Sequence, residues 1–178
     1  WHERERFLKV GFPLSVVASI AQYDCQYGLI ERPIHRNTPS DEAKYESCTH
    51  RFVRVADAGY AAAVVNASTY GSDVSPIHRN TASGPNGSTG RVNGTMFRLS
   101  LLSSPVFPDP KEDIGPHDFQ WSVILDASLA RTLHAAAELN APIIGNVPVF
   151  DPLVSLETVS GMPIIDWVKL ADDGSGDL

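Results

Sequence analysis

Two cysteines, Cys25 and Cys48, are all that the 178 residues contain, too few for a disulfide-built scaffold. Both fall in strand-like stretches and are expected to be free thiols packed in the core. Apolar runs of the roughly 20 residues that span a bilayer are absent, which argues against a membrane helix. Positive charge is also short: 14 Lys and Arg face 21 Asp and Glu, for a net charge of −7, and the basic residues crowd into the first third. Residues 1–54 hold 8 of the 14. A chain this acidic is no phosphate-tracking nucleic-acid binder. The six histidines, His2, His35, His50, His78, His117 and His134, show no metal-ligand spacing, and neither cysteine has a partner two residues away. There is no Gly-x-Ser-x-Gly elbow, no phosphate-cradling glycine loop and no Cys/His nucleophile pattern. Acids such as Glu31, Asp41, Glu42, Asp109, Glu112, Asp113, Asp172 and Asp173 sit mostly in turn-like stretches, and no spacing singles out the opposed pair a glycosidase needs. Read from its residues alone, the chain carries no reaction centre.

What is present is β-structure. Phe7–Leu14, Ile20–Ile30, Arg51–Val55, Tyr60–Val65, Met96–Leu102 and Phe119–Leu125 are alternating, β-branched or aromatic, and proline, glycine and asparagine punctuate the gaps. Tyr60–Val65 is almost wholly apolar, so both of its faces should be covered. One helix is expected near 127–139, capped by Asp126, with Leu129, Leu133 and Ala136 on one stripe and Asn140 and Pro142 ending it. One helix against many strands predicts an all-β fold, an antiparallel β-sandwich. Residues 71–95, rich in Gly, Ser, Thr and Asn, read as a long mobile loop. Sequons at Asn66, Asn86 and Asn93 prove nothing about secretion.

The two ends look like cuts through a larger protein. Trp1-His2-Glu3-Arg4 reads as a strand entered midway, and Trp167–Leu170 as a strand followed by an Asp/Gly-rich turn. Severed sheets leave unpaired edges, so the isolated chain is expected to aggregate. The richest functional segment is Glu31-Arg32-Pro33-Ile34-His35-Arg36-Asn37-Thr38, which gathers two guanidiniums, an imidazole, an amide and a carboxylate at a strand end. Such groups can bind sugar hydroxyls or a carboxylate. They can equally form a polar turn with internal hydrogen bonds. Pro33–Thr38 recurs as Pro76–Thr81 without wider similarity, so this is not a structural repeat.

Several segments, in order along the whole chain, resemble family 38 glycoside hydrolases, the α-mannosidases. They are His2-Glu3-Arg4 with Phe7–Val10; Tyr27-Gly28 with Glu31-Arg32-Pro33, His35, Asn37 and Thr38; Asn66 with Tyr70-Gly71 and Asp73; Arg98–Leu102 with Pro105 and Pro108-Asp109-Pro110; and Val168–Asp173. The chain departs from the family pattern at Ala67, Thr69 and Ser103, where Asp, Lys and Arg are usual. The resemblance implies the non-catalytic, galactose-mutarotase-like β-sandwich of a retaining, zinc-dependent α-mannosidase of mannose metabolism. Residues 1–160 would form the central sandwich, incomplete on its N-terminal side, and residues 161–178 would begin a following β-hairpin or terminal β-domain. Zinc and the nucleophile would lie outside this chain. Glu31, Arg32, His35, Arg36, Asn37, Tyr70 and Asp73 would reach the substrate rim or a domain interface. The partners implied are the catalytic domain of the same polypeptide and an oligosaccharide, with no nucleic acid and no membrane; a homo-oligomer is allowed, and the location expected is cytoplasmic. The alternative class is a free-standing carbohydrate-binding or structural β-module. The coding sequence upstream of Trp1 discriminates between them.

Overall fold

A computed structural model describes residues 1–78, 91–141 and 171–176. The chain divides into two compact units, Trp1–Pro142 and Ile143–Leu178. In the second, only 171–176 are described, and they form the expected Asp/Gly turn, in which Asp173 Oδ1 accepts from Ser175 N at 2.9 Å. The strand expected at 167–170 and most of the 161–178 segment lie outside the described residues.

Among the described residues, nine strands and two helices build the first unit. In chain order they are β1 (Leu8–Leu14), β2 (Ile20–Cys25), β3 (Gly28–Pro33), α1 (Pro39–Ala43), β4 (Ser47–Cys48), β5 (Phe52–Ala56), β6 (Ala61–Asn66), β7 (Gly71–His78), β8 (Val92–Leu102), β9 (Trp121–Leu125) and α2 (Leu129–Asn140). They form a four-stranded sheet, β1-β8-β7-β4, and a five-stranded sheet, β3-β2-β5-β6-β9, antiparallel throughout. Period-2 alternation aims Val74, Phe97 and Leu99 of the first sheet at Ala21, Tyr23, Val53, Val55, Ala62 and Val64 of the second, and these make one buried core. The all-β antiparallel sandwich expected from the sequence is therefore the fold.

Strand β6 is buried at every residue. Ala62 and Val64 face the sandwich core, while Val65 faces outward with Phe52 against Ala136, Leu129, Leu133 and Leu139 of α2. The cover that this apolar strand demands comes from α2, within the described part of the chain. Burial of each Val side chain here stabilises by about 1.5–3 kcal/mol.

Several expectations need correction. Residues 1–6 are not a strand: Trp1 and Gly115 exchange backbone hydrogen bonds at 2.6 and 3.1 Å, and Glu5 N donates to Ser104 O. Ile20–Ile30 is not one strand but the β2–β3 hairpin, turned at Gln26-Tyr27, with Tyr27 at φ 64°. The N-cap of α2 is Ser128, whose Oγ accepts from Arg131 N at 3.2 Å, because Asp126 sits at φ 52° two residues too early. Helix α1 was not foreseen. Residues 71–78 and 92–95 belong to strands β7 and β8 and not to the expected long loop; 79–90 lie outside the described residues. Cys25 and Cys48 are free, but neither is packed in the core: Cys25 is half-buried and Cys48 is exposed.

Glycine at 94 has a steric reason. A Cβ there would lie 2.5 Å from Leu14 O of the neighbouring strand. The sequon asparagine Asn66 is 1% exposed and structural: its Nδ2 donates to His50 O and Thr69 O.

Candidate functional site

Strand β3 forms an edge of the five-stranded sheet and carries Glu31 and Arg32. Register places Glu31 opposite Gln22, whose Nε2 donates to Glu31 Oε1 at 2.8 Å. After Pro33 the chain leaves the sheet, and a capping box stops it from wandering. Thr38 Oγ1 accepts from Asp41 N at 3.1 Å, while Asp41 Oδ2 accepts from Asn37 N at 3.1 Å and Thr38 N at 3.0 Å. These bonds, with the Thr38 side chain foremost, hold the Asp41 carboxyl below the usual carboxylate range. Asn37 therefore contributes its backbone N–H. His35 lies 3.9 Å from Asp41, and Arg36 projects toward the other sheet.

There it meets Asp73, on the outer face of β7. Asp73 is fully buried and stands directly opposite Arg98 of β8. Asp73 Oδ1 accepts from Arg98 Nε at 2.8 Å and Nη2 at 2.5 Å, and Oδ2 accepts from Lys9 Nζ at 2.9 Å. An Arg36 η nitrogen sits 3.7 Å from the same Oδ1. Lys9 also reaches Glu46 at 3.3 Å, and Gly71 leaves room for the Glu46 carboxylate. The Tyr45 ring lies 5.1 Å from Lys9 Nζ and 5.4 Å from the Arg36 guanidinium, close enough for cation–π attraction to both.

Between the β3 end, the 34–45 segment and β4 lies a cleft of about 300 Å³. Glu31, Arg32, His35 and Arg36 line it, with Tyr23, Lys44 and Tyr45. At its base, burial pushes the Tyr23 phenol from its ordinary 10 up to about 12; Asp73 adds to the shift, while the Ser47 hydrogen bond, Arg32 and Arg36 oppose it. The folded state thus keeps a proton that the unfolded chain gives up near pH 10. The stability this contributes is whole below pH 10 and is lost as the pH rises through 12, by roughly 3 kcal/mol for a two-unit shift. Urea midpoints of the wild-type chain should therefore fall, relative to Tyr23→Phe, between those pH values; parallel curves would contradict the shift.

A second buried carboxylate, Asp24, is 2% exposed and accepts from Arg51 N at 3.2 Å and Arg51 Nε at 2.8 Å; His50 Nδ1 stands 3.2 Å away without hydrogen-bond geometry. Tyr70 belongs to this cluster, stacked on His50 at 6.2 Å, and not to the cleft. The structure thus brings together Glu31, Arg32, His35, Arg36 and, through Arg36, Asp73. It leaves Tyr70 apart. Reading by sequence missed Lys9, Tyr45, Arg98, Asp24 and Arg51. The available signal was a charged residue on the outward phase of an otherwise apolar strand, as at Lys9 in β1 and Arg98 in β8. In the second hexapeptide copy Pro76–His78 ends strand β7, whereas in the first only Pro33 is in a strand; Arg79, Asn80 and Thr81 lie outside the described residues.

Among the described residues no three His, Cys, Asp or Glu side chains converge to hold a metal ion, so this part of the chain does not fit a zinc site. No helix among them is long and apolar enough to cross a membrane.

The family model described as the glycosyl hydrolases family 38 C-terminal domain matches residues 1–111. Alpha-mannosidase 2C1 of Mus musculus is 32% identical over 175 residues, covering 89% of this chain and 15% of that protein. The alpha-mannosidase of Saccharomyces cerevisiae is 29% identical over 182 residues, covering 98% and 15%. Alpha-mannosidase G of Dictyostelium discoideum is 33% identical over 186 residues, again covering 98% and 15%. The chain spans about 15% of the length of these relatives. It belongs to glycosyl hydrolase family 38, whose C-terminal domain it carries over residues 1–111.

Proposed function

We propose that this chain is the non-catalytic β-sandwich portion of a retaining, zinc-dependent α-mannosidase that removes terminal α-linked mannose. The observation that carries the non-catalytic reading is the state of its buried carboxylates. Retaining hydrolysis needs one carboxylate free to attack and a second group to protonate the leaving oxygen. Asp73 is saturated by Lys9 and Arg98, and Asp24 by Arg51, so neither is open to a sugar. The nucleophile, its acid partner and the zinc are then supplied by other parts of the polypeptide. Membership of the family and the alpha-mannosidase relatives support the activity of the whole. Two unpaired cysteines fit a reducing, cytoplasmic location.

In this reading Glu31, Arg32, His35, Arg36 and Asn37 brace the catalytic domain or line the substrate rim. The β3 edge and the capped 34–45 segment form a rigid base for that role. The test uses the whole polypeptide. It should cleave an aryl α-mannoside with retention of anomeric configuration and lose that activity on chelation. His35→Ala and Asn37→Ala should each lower kcat/KM, by an amount matching about 0.5–1.5 kcal/mol for a lost neutral hydrogen bond, with Tm little changed. His78→Ala, in the second hexapeptide copy, should leave kcat/KM unaltered. Equal, negligible effects at all three positions would reduce the first copy to a polar turn. Mannoside binding without hydrolysis by the whole polypeptide would favour the carbohydrate-binding module instead.

A further inference from the structure

The cleft between β3 and the 34–45 segment has spent its acceptors but not its donors. Four carboxylates that line it or stand beside it, Glu31, Asp41, Glu46 and Asp73, are already held. Glu31 is bound by Gln22 at 2.8 Å, and Asp41 by two backbone N–H groups at 3.0 and 3.1 Å. Glu46 is bound by Lys9 at 3.3 Å, and Asp73 by Lys9 and Arg98. The cations differ. Arg32 and Lys44 have no carboxylate partner among the described residues. Arg36 stands 3.7 Å from an Asp73 oxygen that two Arg98 N–H groups already occupy, beyond hydrogen-bond reach. Its guanidinium carbon lies 5.4 Å from the Tyr45 ring centroid, a cation–π contact that consumes no N–H donor.

Three under-used cations therefore line one cavity of about 300 Å³, in a chain whose net charge is −7. Glu31 and Asp41 line the same cavity and keep their charge, since a neutral amide and backbone N–H groups are what hold them, so the three cations leave an excess of one positive charge for an anion to meet. A planar guanidinium beside an ammonium matches a phosphate or carboxylate, which accepts several charge-assisted bonds at once. The Tyr23 hydroxyl at the base and the Tyr45 ring at the wall give a small organic body something to rest on, and the volume suits one small ligand.

We propose that this cleft is an oxyanion-binding site, in which Arg32, Arg36 and Lys44 hold a phosphate or carboxylate group, free or carried on a small sugar. The inference rests on the reading of this segment as a contact surface, but its test does not need hydrolysis. Calorimetric titration of the intact polypeptide compares inorganic phosphate, mannose 6-phosphate and mannose. Both anions should bind, more weakly as salt rises, and mannose should not. Tighter binding of mannose 6-phosphate than of phosphate assigns the site to a phosphorylated sugar, and equal binding assigns it to the free anion. Lys44→Gln, at an exposed position where the backbone cap of α1 is kept, should weaken binding by roughly tenfold, as should Arg36→Gln. Arg131→Gln, on α2, should leave it unchanged. Absence of binding by both anions, equal binding of mannose and mannose 6-phosphate, or indifference to Lys44→Gln would overturn the proposal. Hydrolysis of an aryl α-mannoside, followed on the same samples, separates this failure from failure of the mannosidase reading.

Discussion

Replacing Asp73 with alanine should destabilise the sandwich by about 3–5 kcal/mol, the cost of breaking a buried ion pair by removing one partner. Domains are typically stable by roughly 5–15 kcal/mol, so this loss alone should consume a large part of the total. The physical reason is what remains. Lys9, Arg36 and Arg98 would face one another around a site where the carboxylate is fully buried. The converse substitutions should be far milder. Arg36 keeps 34% of its side chain exposed and lies 3.7 Å from the carboxylate, so Arg36→Gln should cost about 1 kcal/mol or less. Arg98→Gln should fall between, because its two bonds to Oδ1 are shorter but its side chain is 39% exposed. Urea denaturation of the four proteins measures this. An Asp73→Ala midpoint equal to that of Arg36→Gln would show that Asp73 is not the hub of the cluster.

The second large effect is expected at Phe97. Its ring is fully buried on the inner face of β8, between Phe12 of β1 and Val74 of β7 in register, and packs with the core of the opposite sheet. Phe97→Ala removes this contact and leaves a cavity that two hydrogen-bonded sheets cannot collapse to fill. The expected loss is about 3–5 kcal/mol. Leu125→Ala on edge strand β9 is the matched control: that side chain is 55% exposed, so its truncation should cost well under half as much. Thermal melts with Phe97→Ala close to Leu125→Ala would contradict the inter-sheet core described for this sandwich.

The strands were legible where one face alternates. Ala21 and Tyr23 in β2, and Phe97 and Leu99 in β8, announce their inward phase without help from the rest of the chain. The all-apolar run at Tyr60–Val65 announced two covered faces, and α2 covers the second. The β2–β3 turn was hidden because a tyrosine occupies the φ 64° position that glycine or asparagine normally marks. Helix α1 was hidden by Pro39, which signals a turn when read in passing and is a good first helical residue when Thr38 and Asp41 form a capping box. That box was visible in the sequence.

The site was legible only as a list. Arg36 and Asp73 were both singled out, one in a loop segment and one in a family motif, but nothing in the sequence joined them. Their contact depends on the 34–45 segment crossing from one sheet toward the other, and the Asp73–Arg98 pair depends on the β7–β8 register. Register is a property of long-range pairing, and local propensity does not encode it. Tyr70 fails as a cleft residue for the same reason: three residues from Asp73 in sequence, it turns to His50 and the Asp24 cluster instead.

The central proposal is that this chain supports glycoside hydrolysis without performing it. The direct test is release of nitrophenol from 4-nitrophenyl α-mannoside by purified residues 1–178, with and without added zinc, beside the whole polypeptide at equal molarity. The account predicts a background rate for residues 1–178 in both conditions and zinc-dependent turnover only for the whole polypeptide. Zinc-dependent turnover by residues 1–178 alone would contradict it.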